Sequence, residues 1–568
     1  MPKFFLLFSA IVFVTGSFAQ VKDKDLGNEQ VEILGDFNPV ISDAFKIGKN
    51  PVINDTTARL PIPDYKLLNK KVNTSFEVDP IPAAKMKGEP LSNLYRTHIK
   101  GGFGNYFTPL GEIYFNSLRS KEFSYLAFLK HISSTGSISN AYYSGFSNTG
   151  TGLAGSYFKP THTISGDFNY NRNVLHYYAI PNGIPYSPIY DFPGKEITKD
   201  LIRQRFNLFS IGTEAQSTYK DSTKLHHNVK LRYNNFADLY DTAIENNVRL
   251  DVKLGKYHGR ELIGLNIGTD YYHNTLPTDT TDNAIINLGP NIVSSGKKWR
   301  VKVGAGLFAG VGTDQIGSFH FYPDVDFNFN LIENIIIPYG GINGKLERNS
   351  YRSLTSINPF MTAYTPLKNT NTRYNIFGGL RGSLSSTITF NAGVSYSDVH
   401  NMAFFINDYN VYFPERFSVV YDDVKLLNIT GELAYQKTEK LKILLKGDWY
   451  RYQMTNELHP WHRPDAEITL TTLYSLRDKI IVKADAFYLN TRYGTRRYEV
   501  SDNLEVIPGK YPEKLKGFAD INLGVEYRYT KQLSAFVNFN NIGAAKYNRW
   551  YNYPLQRFNL MGGFTYSF

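Results

Sequence analysis

The chain has 568 residues, 62 Lys and Arg against 51 Asp and Glu, a formal net charge of +11 and no cysteine. Disulfides, thiol nucleophiles, thiolate metal sites and a lipid-bearing cysteine are thereby excluded, and the basic residues are spread along the chain instead of forming the stripe that a nucleic-acid partner requires. Aromatic residues make up 15%, with 42 Tyr and 39 Phe against 4 Trp, at a mean hydropathy of −0.33; this excludes a stack of transmembrane helices but not a β-barrel, whose strands are only half apolar.

The first residues read as a signal peptide over 1–19. Lys3 supplies the positive start, Phe4 to Val14 the apolar stretch, and Ser17 and Ala19 the small residues before a cleavage ahead of Gln20. The apolar run is too short to span a membrane as a helix. Residues 20–92 show neither clean alternation nor sustained helical periodicity. Phe37-Asn38-Pro39, Pro61-Ile62-Pro63 and Pro80-Ile81-Pro82 bias their surroundings toward extended backbone, and one short helix is expected from Ser42 to Lys46 with Ser42 as N-cap. The expectation is a periplasmic segment that either fills the barrel mouth or acts as a partner-binding arm. Val31, Ile33 and Leu34 are the candidate partner strand, an apolar run able to pair with a sheet edge. The plain alternative is a flexible leader.

From Leu94 onward apolar and polar residues alternate, the period of an extended strand. The strands predicted are 94–104, 110–119, 123–134, 151–158, 161–173, 206–219, 225–236, 249–256, 260–273, 284–294, 299–308, 319–332, 335–346, 375–384, 388–407, 416–437, 441–452, 466–476, 480–490, 518–529, 533–543 and 556–568. In 518–529, Ala519, Ile521, Leu523, Val525, Tyr527 and Tyr529 share one face, with Asp520, Asn522, Glu526 and Arg528 opposite. The connections alternate. Short ones such as Lys159-Pro160, Glu333-Asn334 and Thr530-Lys531 are separated by long ones at 135–150, 174–205, 237–248, 274–283, 309–318, 347–374, 408–415, 453–465, 491–517 and 544–555. Short periplasmic turns, long extracellular loops and an even strand number are the pattern of a bacterial outer-membrane barrel. The fold class expected is therefore all-β: a transmembrane antiparallel barrel of about 22 strands over 93–568, preceded by a short extended segment. The lipid of the outer membrane and the barrel-assembly machinery are its expected partners, with a periplasmic or outer-membrane protein as a further one.

The final strand sharpens this reading. Phe558, Leu560, Phe564, Tyr566 and Phe568 lie on one face, and the chain stops on the aromatic Phe568. Phe564, Tyr566 and Phe568 are the candidate barrel-assembly signal. The stretch before them, Asn538, Asn540-Asn541-Ile542, Lys546-Tyr547, Tyr553-Pro554, Arg557 and Phe568, resembles the terminal region of TonB-dependent receptors, and the long pair 388–407 and 416–437 resembles a late hairpin of that family. The aromatic-rich strands are similar to those of Bacteroidetes proteins. The resemblance implies a receptor-type barrel over about 94–568. It departs from the family at the N-terminus, where about 73 residues replace a globular plug and no convincing TonB-contact box stands out. So wide a lumen is normally filled. Residues 20–92, inward-folded loops such as 174–205 and 347–374, or a separate protein are the three candidate fillers.

No enzyme constellation emerges. Asp324-x-Asp326-x-Asn328 has Phe329 where a calcium loop needs its sharp turn, and reads better as lumen side chains. His459 and His462 are two ligands where a metal site needs three or four. His226 and His227 point to opposite faces of one strand. Asp520 and Glu526 are ordinary lumen-wall carboxylates. No cofactor or metal is expected. Tyr177, Tyr178, Tyr186 and Tyr190 form an aromatic cluster in one long loop, the candidate extracellular recognition site, with packing at the membrane interface as its competitor. Two functions stay open: solute uptake across the outer membrane, and a non-transporting structural or assembly role.

Overall fold

The computed structural model describes residues 94–136, 138–179, 197–313, 315–333, 335–408, 415–500 and 506–568. The helix expected at 42–46 and the strand of Val31, Ile33 and Leu34 lie outside them. In chain order the strands are β1 (Thr97–Gly104), β2 (Thr108–Asn116), β3 (Phe123–Ser134), β4 (Phe146–Phe158), β5 (His162–His176), β6 (Arg203–Ser217), β7 (His226–Asp238), β8 (Ile244–His258), β9 (Glu261–Thr275), β10 (Thr280–Ser295), β11 (Trp299–Gly312), β12 (Gln315–Phe329) and β13 (Ile337–Arg348). A helix, α1 (Tyr351–Ile357), follows. Then come β14 (Asn369–Ser385), β15 (Ile388–Asn407), β16 (Phe417–Thr438), β17 (Leu441–Met454), β18 (Ala466–Leu476), β19 (Ile480–Leu489), β20 (Arg492–Val500), β21 (Val506–Leu515), β22 (Phe518–Arg528), β23 (Leu533–Asn540), β24 (Asn548–Trp550), β25 (Tyr553–Pro554) and β26 (Asn559–Ser567).

Twenty-two of these strands form one antiparallel sheet, each paired with its neighbour in sequence; β20–β21 and β24–β25 are separate two-stranded pieces. The sheet closes on itself where β26 pairs with β1, from His98↔Ser567 to Gly104↔Met561. Closure leaves no edge, so the backbone of every barrel strand has partners on both sides. The side chains sort as the alternation predicts. Ile99, Phe103, Ile211, Val303, Phe327, Ile521, Phe564 and Tyr566 stand exposed on the outer face. The inner face carries charge pairs, between adjacent strands at Lys230–Glu214 (3.1 Å) and Lys302–Asp324 (2.6 Å), and across β6 from β7 to β5 at Arg232–Asp167 (2.8 Å). Asp324 and Asp326 are thus lumen residues paired to β11, Asp326 through Arg300 at 3.5 Å.

All 22 predicted barrel strands are present, but most run further than predicted at the long-loop end. The loop expected at 274–283 shrinks to four residues between β9 and β10, and that at 309–318 to the turn between β11 and β12. The stretch expected as the loop 491–517 contains the β20–β21 hairpin, and 347–374 contains α1.

The closing seam is tightest at one glycine. A Cβ on Gly563 would sit 2.1 Å from the Gly101 carbonyl and 2.7 Å from the Phe536 ring. The first of these is backbone and cannot swing away. Gly563→Val is expected to cost about 1–3 kcal/mol of overpacking and to lower the fraction of closed barrel. The heat-dependent shift in electrophoretic mobility of the detergent-solubilised protein measures that fraction; an unchanged shift would show the seam to be tolerant.

Candidate functional site: a loop layer across the barrel mouth

At the long-loop end, connecting segments fold into a compact layer. Its one helix among the described residues, α1, begins at Ser350, whose side chain accepts from the Ser353 N–H at 3.1 Å, and ends at Asn358, whose N–H returns to the Leu354 carbonyl. Pro359 prevents continuation. Tyr351, Leu354 and Thr355 fall on one side of the helix and are buried. Around them pack Tyr177, Tyr178 and Ile202 from the β5–β6 loop, Phe206 and Phe236 from β6 and β7, Phe360 and Met361 from the segment after α1, Phe405 and Phe417 from β15 and β16, and Trp550 and Tyr553 from the last loop. In a ring of 22 strands, β6 and β16 stand nearly opposite each other. One continuous cluster touching both must cross the lumen.

Aromatic geometry and hydrogen bonds join the pieces. Phe360 stacks on Tyr553 at 3.8 Å, and Tyr178 meets both rings edge-on at 5.7 and 5.0 Å. The Tyr178 hydroxyl donates to the Pro554 carbonyl at 3.0 Å. The segment after α1 lies beside β16: the Thr362 N–H donates to the Phe417 carbonyl at 2.8 Å, and the Phe417 N–H to the Phe360 carbonyl at 3.0 Å. Each buried Leu or Phe of such a core contributes enough that truncation to Ala costs roughly 2–5 kcal/mol.

Buried polar groups run through the same layer. The Arg416 guanidinium meets Asp241 at 2.5 Å, and both side chains are almost wholly buried. The other Asp241 oxygen accepts from the Ala363 N–H at 2.7 Å. Asp238 accepts from the Tyr351 hydroxyl and from Gln204 at 3.0 Å, and Gln204 also donates to the Tyr177 hydroxyl at 2.9 Å. Glu415 accepts from Asn407 at 2.6 Å and from Asn552 at 2.9 Å, and its carbonyl accepts from the Tyr553 hydroxyl. Burial first, with the neighbouring Asp238 charge, holds the phenols of Tyr177 and Tyr351 well above the usual range, so both stay neutral, Tyr351 donating to Asp238 and Tyr177 accepting from Gln204.

The predicted site residues fall as follows. Tyr177 and Tyr178 are 0% and 8% exposed, so their rings are packed in the layer and not presented to solvent. Tyr186 and Tyr190, like Val31, Ile33 and Leu34, lie outside the described residues. Phe564, Tyr566 and Phe568 are exposed on the outer face beside the closing seam. Within the terminal motif, Tyr547 donates to Asp520 at 2.6 Å and stacks on Phe518 at 3.7 Å, while Tyr553 and Pro554 form β25. These motif residues therefore fasten the last loop to the wall. Among the described residues no group of three His, Asp or Glu is placed to hold a metal. His459 instead stacks on Tyr493 at 3.9 Å.

Solved structures share this architecture. The ferripyoverdine receptor of the outer membrane of Pseudomonas aeruginosa superposes with a TM-score of 0.62 at 12% identity, over 84% of this chain and 72% of that one. The barrel has the fold of outer-membrane iron and siderophore receptors. The FrpB iron transporter from Neisseria meningitidis gives 0.63 at 11% identity, over 84% and 82%. The siderophore receptor PirA from Acinetobacter baumannii gives 0.63 at 9% identity, over 84% and 81%. At such identities the likeness is one of fold, and it is the fold implied by the terminal motif. No protein-family model matches the sequence, and no curated protein matches it.

Sequence reasoning missed the charged members of the layer. Asp241 and Arg416 are 175 positions apart, and neither lies in a motif. The one local signal was the Ser350 cap before Tyr351 and Leu354.

Proposed function

We propose that this protein is an outer-membrane barrel of receptor type that admits a solute, with its loop layer as the closed state of the path. The exposed apolar outer row would face lipid, the loop layer the cell exterior, and residues 20–92 the periplasm, after export directed by residues 1–19. In this reading Phe564, Tyr566 and Phe568 are what the assembly machinery recognises. The observation that carries the proposal is the single core joining opposite walls of a wide barrel. Such a core closes a lumen that otherwise would pass solutes freely, and it is built from loops, which can rearrange without disturbing the strand ladder.

The number of satisfied buried polar groups in the layer favours a second reading, in which the closure is permanent and the barrel is a platform for a structural or assembly complex. Planar-bilayer conductance separates the two. β13 and β14 are paired up to Arg348↔Asn369, so residues 349–368 can be replaced by an Asn-Gly turn suited to a two-residue hairpin. Little conductance is expected from the parent and large, long-lived channels from the variant. If the variant stays closed, and also stays closed after removal of 20–92, solute passage fails. Proteins that co-purify stably in mild detergent would then support the platform.

A further inference from the structure

A cavity of about 420 Å³ opens beside the layer, against the inner wall formed by β16–β19. Tyr450, Tyr452, Trp461 and Trp550 supply aromatic surface to it, and Arg463, Arg492 and Arg549 bring three guanidinium groups. Arg492 is the unusual member. It is 4% exposed, yet its donors go only to neutral oxygens: the Arg549 carbonyl at 2.9 Å and the Asn548 carbonyl at 2.7 Å. Its Nε–H has no acceptor. Among the described residues no carboxylate lies within 4.0 Å of Arg463, Arg492 or Arg549. The one acidic residue of the lining, Glu467, already accepts from the Tyr450 hydroxyl at 3.2 Å.

A buried cation without a counter-charge is costly. The contrast with Arg416, equally buried but paired with Asp241, shows how this chain treats such a group where no ligand is needed. The burden is visible on Arg492 itself: burial, with Arg549 nearby, pulls its guanidinium down to about 10. His462, also in the lining, adds no positive charge because it is held neutral. An anion would supply the missing partner, and the rings would cover a flat apolar body. The volume lies at the low end for small-molecule sites, which restricts the ligand to a small one.

We propose that this cavity binds a small organic anion with a flat apolar body, its charge set against Arg492 and Arg549 and its body against the Tyr450, Tyr452 and Trp461 rings. Binding here is separable from permeation, since it is measured on the closed protein in detergent and not across a bilayer. Two of the chain's four tryptophans line the cavity, so intrinsic fluorescence reports occupancy. The full chain is titrated at pH 7.5 with benzoate, and in parallel with benzyl alcohol and benzylammonium, which keep the ring but lose or reverse the charge. Benzoate is expected to quench saturably, and the other two to bind at least about tenfold more weakly, the worth of one charge-assisted hydrogen bond. Arg492→Gln tests the buried partner but also removes the bonds that hold the last loop. Arg549→Gln, at an exposed position, is therefore the decisive variant, with about tenfold weaker benzoate binding expected. Equal quenching by benzoate and benzyl alcohol, no saturation, or undiminished affinity in Arg549→Gln would each overturn the proposal.

Discussion

Asp241→Asn is expected to open the loop layer while leaving the barrel intact. The substitution keeps the side-chain shape but strands the Arg416 guanidinium, nearly fully buried, without its counter-charge. Breaking a buried pair from one side costs roughly 3–5 kcal/mol, because the remaining charge has no solvent to return to. The loss falls on the layer, since Asp241 also anchors the Ala363 N–H of the segment following α1. The strand ladder does not pass through these groups. Amide hydrogen exchange across 351–367 should therefore accelerate by two orders of magnitude or more, with exchange in β9 or β19 unchanged. The double variant Asp241→Asn with Arg416→Met should recover a large part of the protection, because replacing both members of a buried pair removes the stranded charge. Parent-like protection in Asp241→Asn alone would mean that the pair contributes nothing to closure.

The barrel was legible in the sequence because its signal is periodic and repeated. Every strand alternates, and each hairpin checks the phase of the next. The strand ends were less legible for a physical reason. Above the apolar band the outward positions turn polar, as at Asn246 in β8 and Asp282 in β10, while backbone pairing continues unchanged to Ile244 and Thr280. Pattern fades there before structure does. Of the layer, the sequence marked the loops 174–205 and 347–374 as able to fold inward, but not the contacts that hold them. The α1 segment has seven residues, three of them Ser or Thr, too short and too poor in strong helix formers to announce itself. Tyr177 and Tyr178 look in sequence like a presented recognition cluster. What buries them is Gln204, Phe360 and Tyr553, partners up to hundreds of positions away that no local pattern connects. The 492–515 hairpin was hidden by Pro508 and Pro512 in its second strand, residues that ordinarily argue against a strand except at an edge.

The second large effect expected is acid opening through His462. This residue takes a left-handed backbone conformation, φ 60°, in the loop after β17, and is 7% exposed. Its ring lies 5.0 Å from Trp550 and 5.5 Å from Phe417. Its Nδ1 is 3.0 Å from the Phe405 carbonyl and its Nε2 3.3 Å from the Tyr551 nitrogen. The first bond needs a proton on Nδ1 and the second a bare Nε2, so only the neutral ring satisfies both. Burial, which outweighs the favourable bond to Phe405 and is reinforced by Arg492, pushes the imidazole down to about 3 from 6.5. A layer that has opened returns His462 to its ordinary value, so the open state binds more protons at every pH between 3 and 6.5. Stability contributed by the neutral ring is complete above pH 6.5 and falls as pH drops toward 3. The slope is about 1.4 kcal/mol per unit, or roughly 3 kcal/mol by pH 4.5. Hydrogen exchange at 403–408 and 549–553, corrected for the intrinsic pH dependence of amide chemistry, should thus rise about a hundredfold relative to pH 7.5. His462→Asn keeps a donor and an acceptor, tolerates the left-handed backbone and cannot titrate. Carboxylates elsewhere in the layer act equally in parent and variant, so the difference between the two slopes isolates this ring. Identical slopes would remove His462 as the acid-sensitive element.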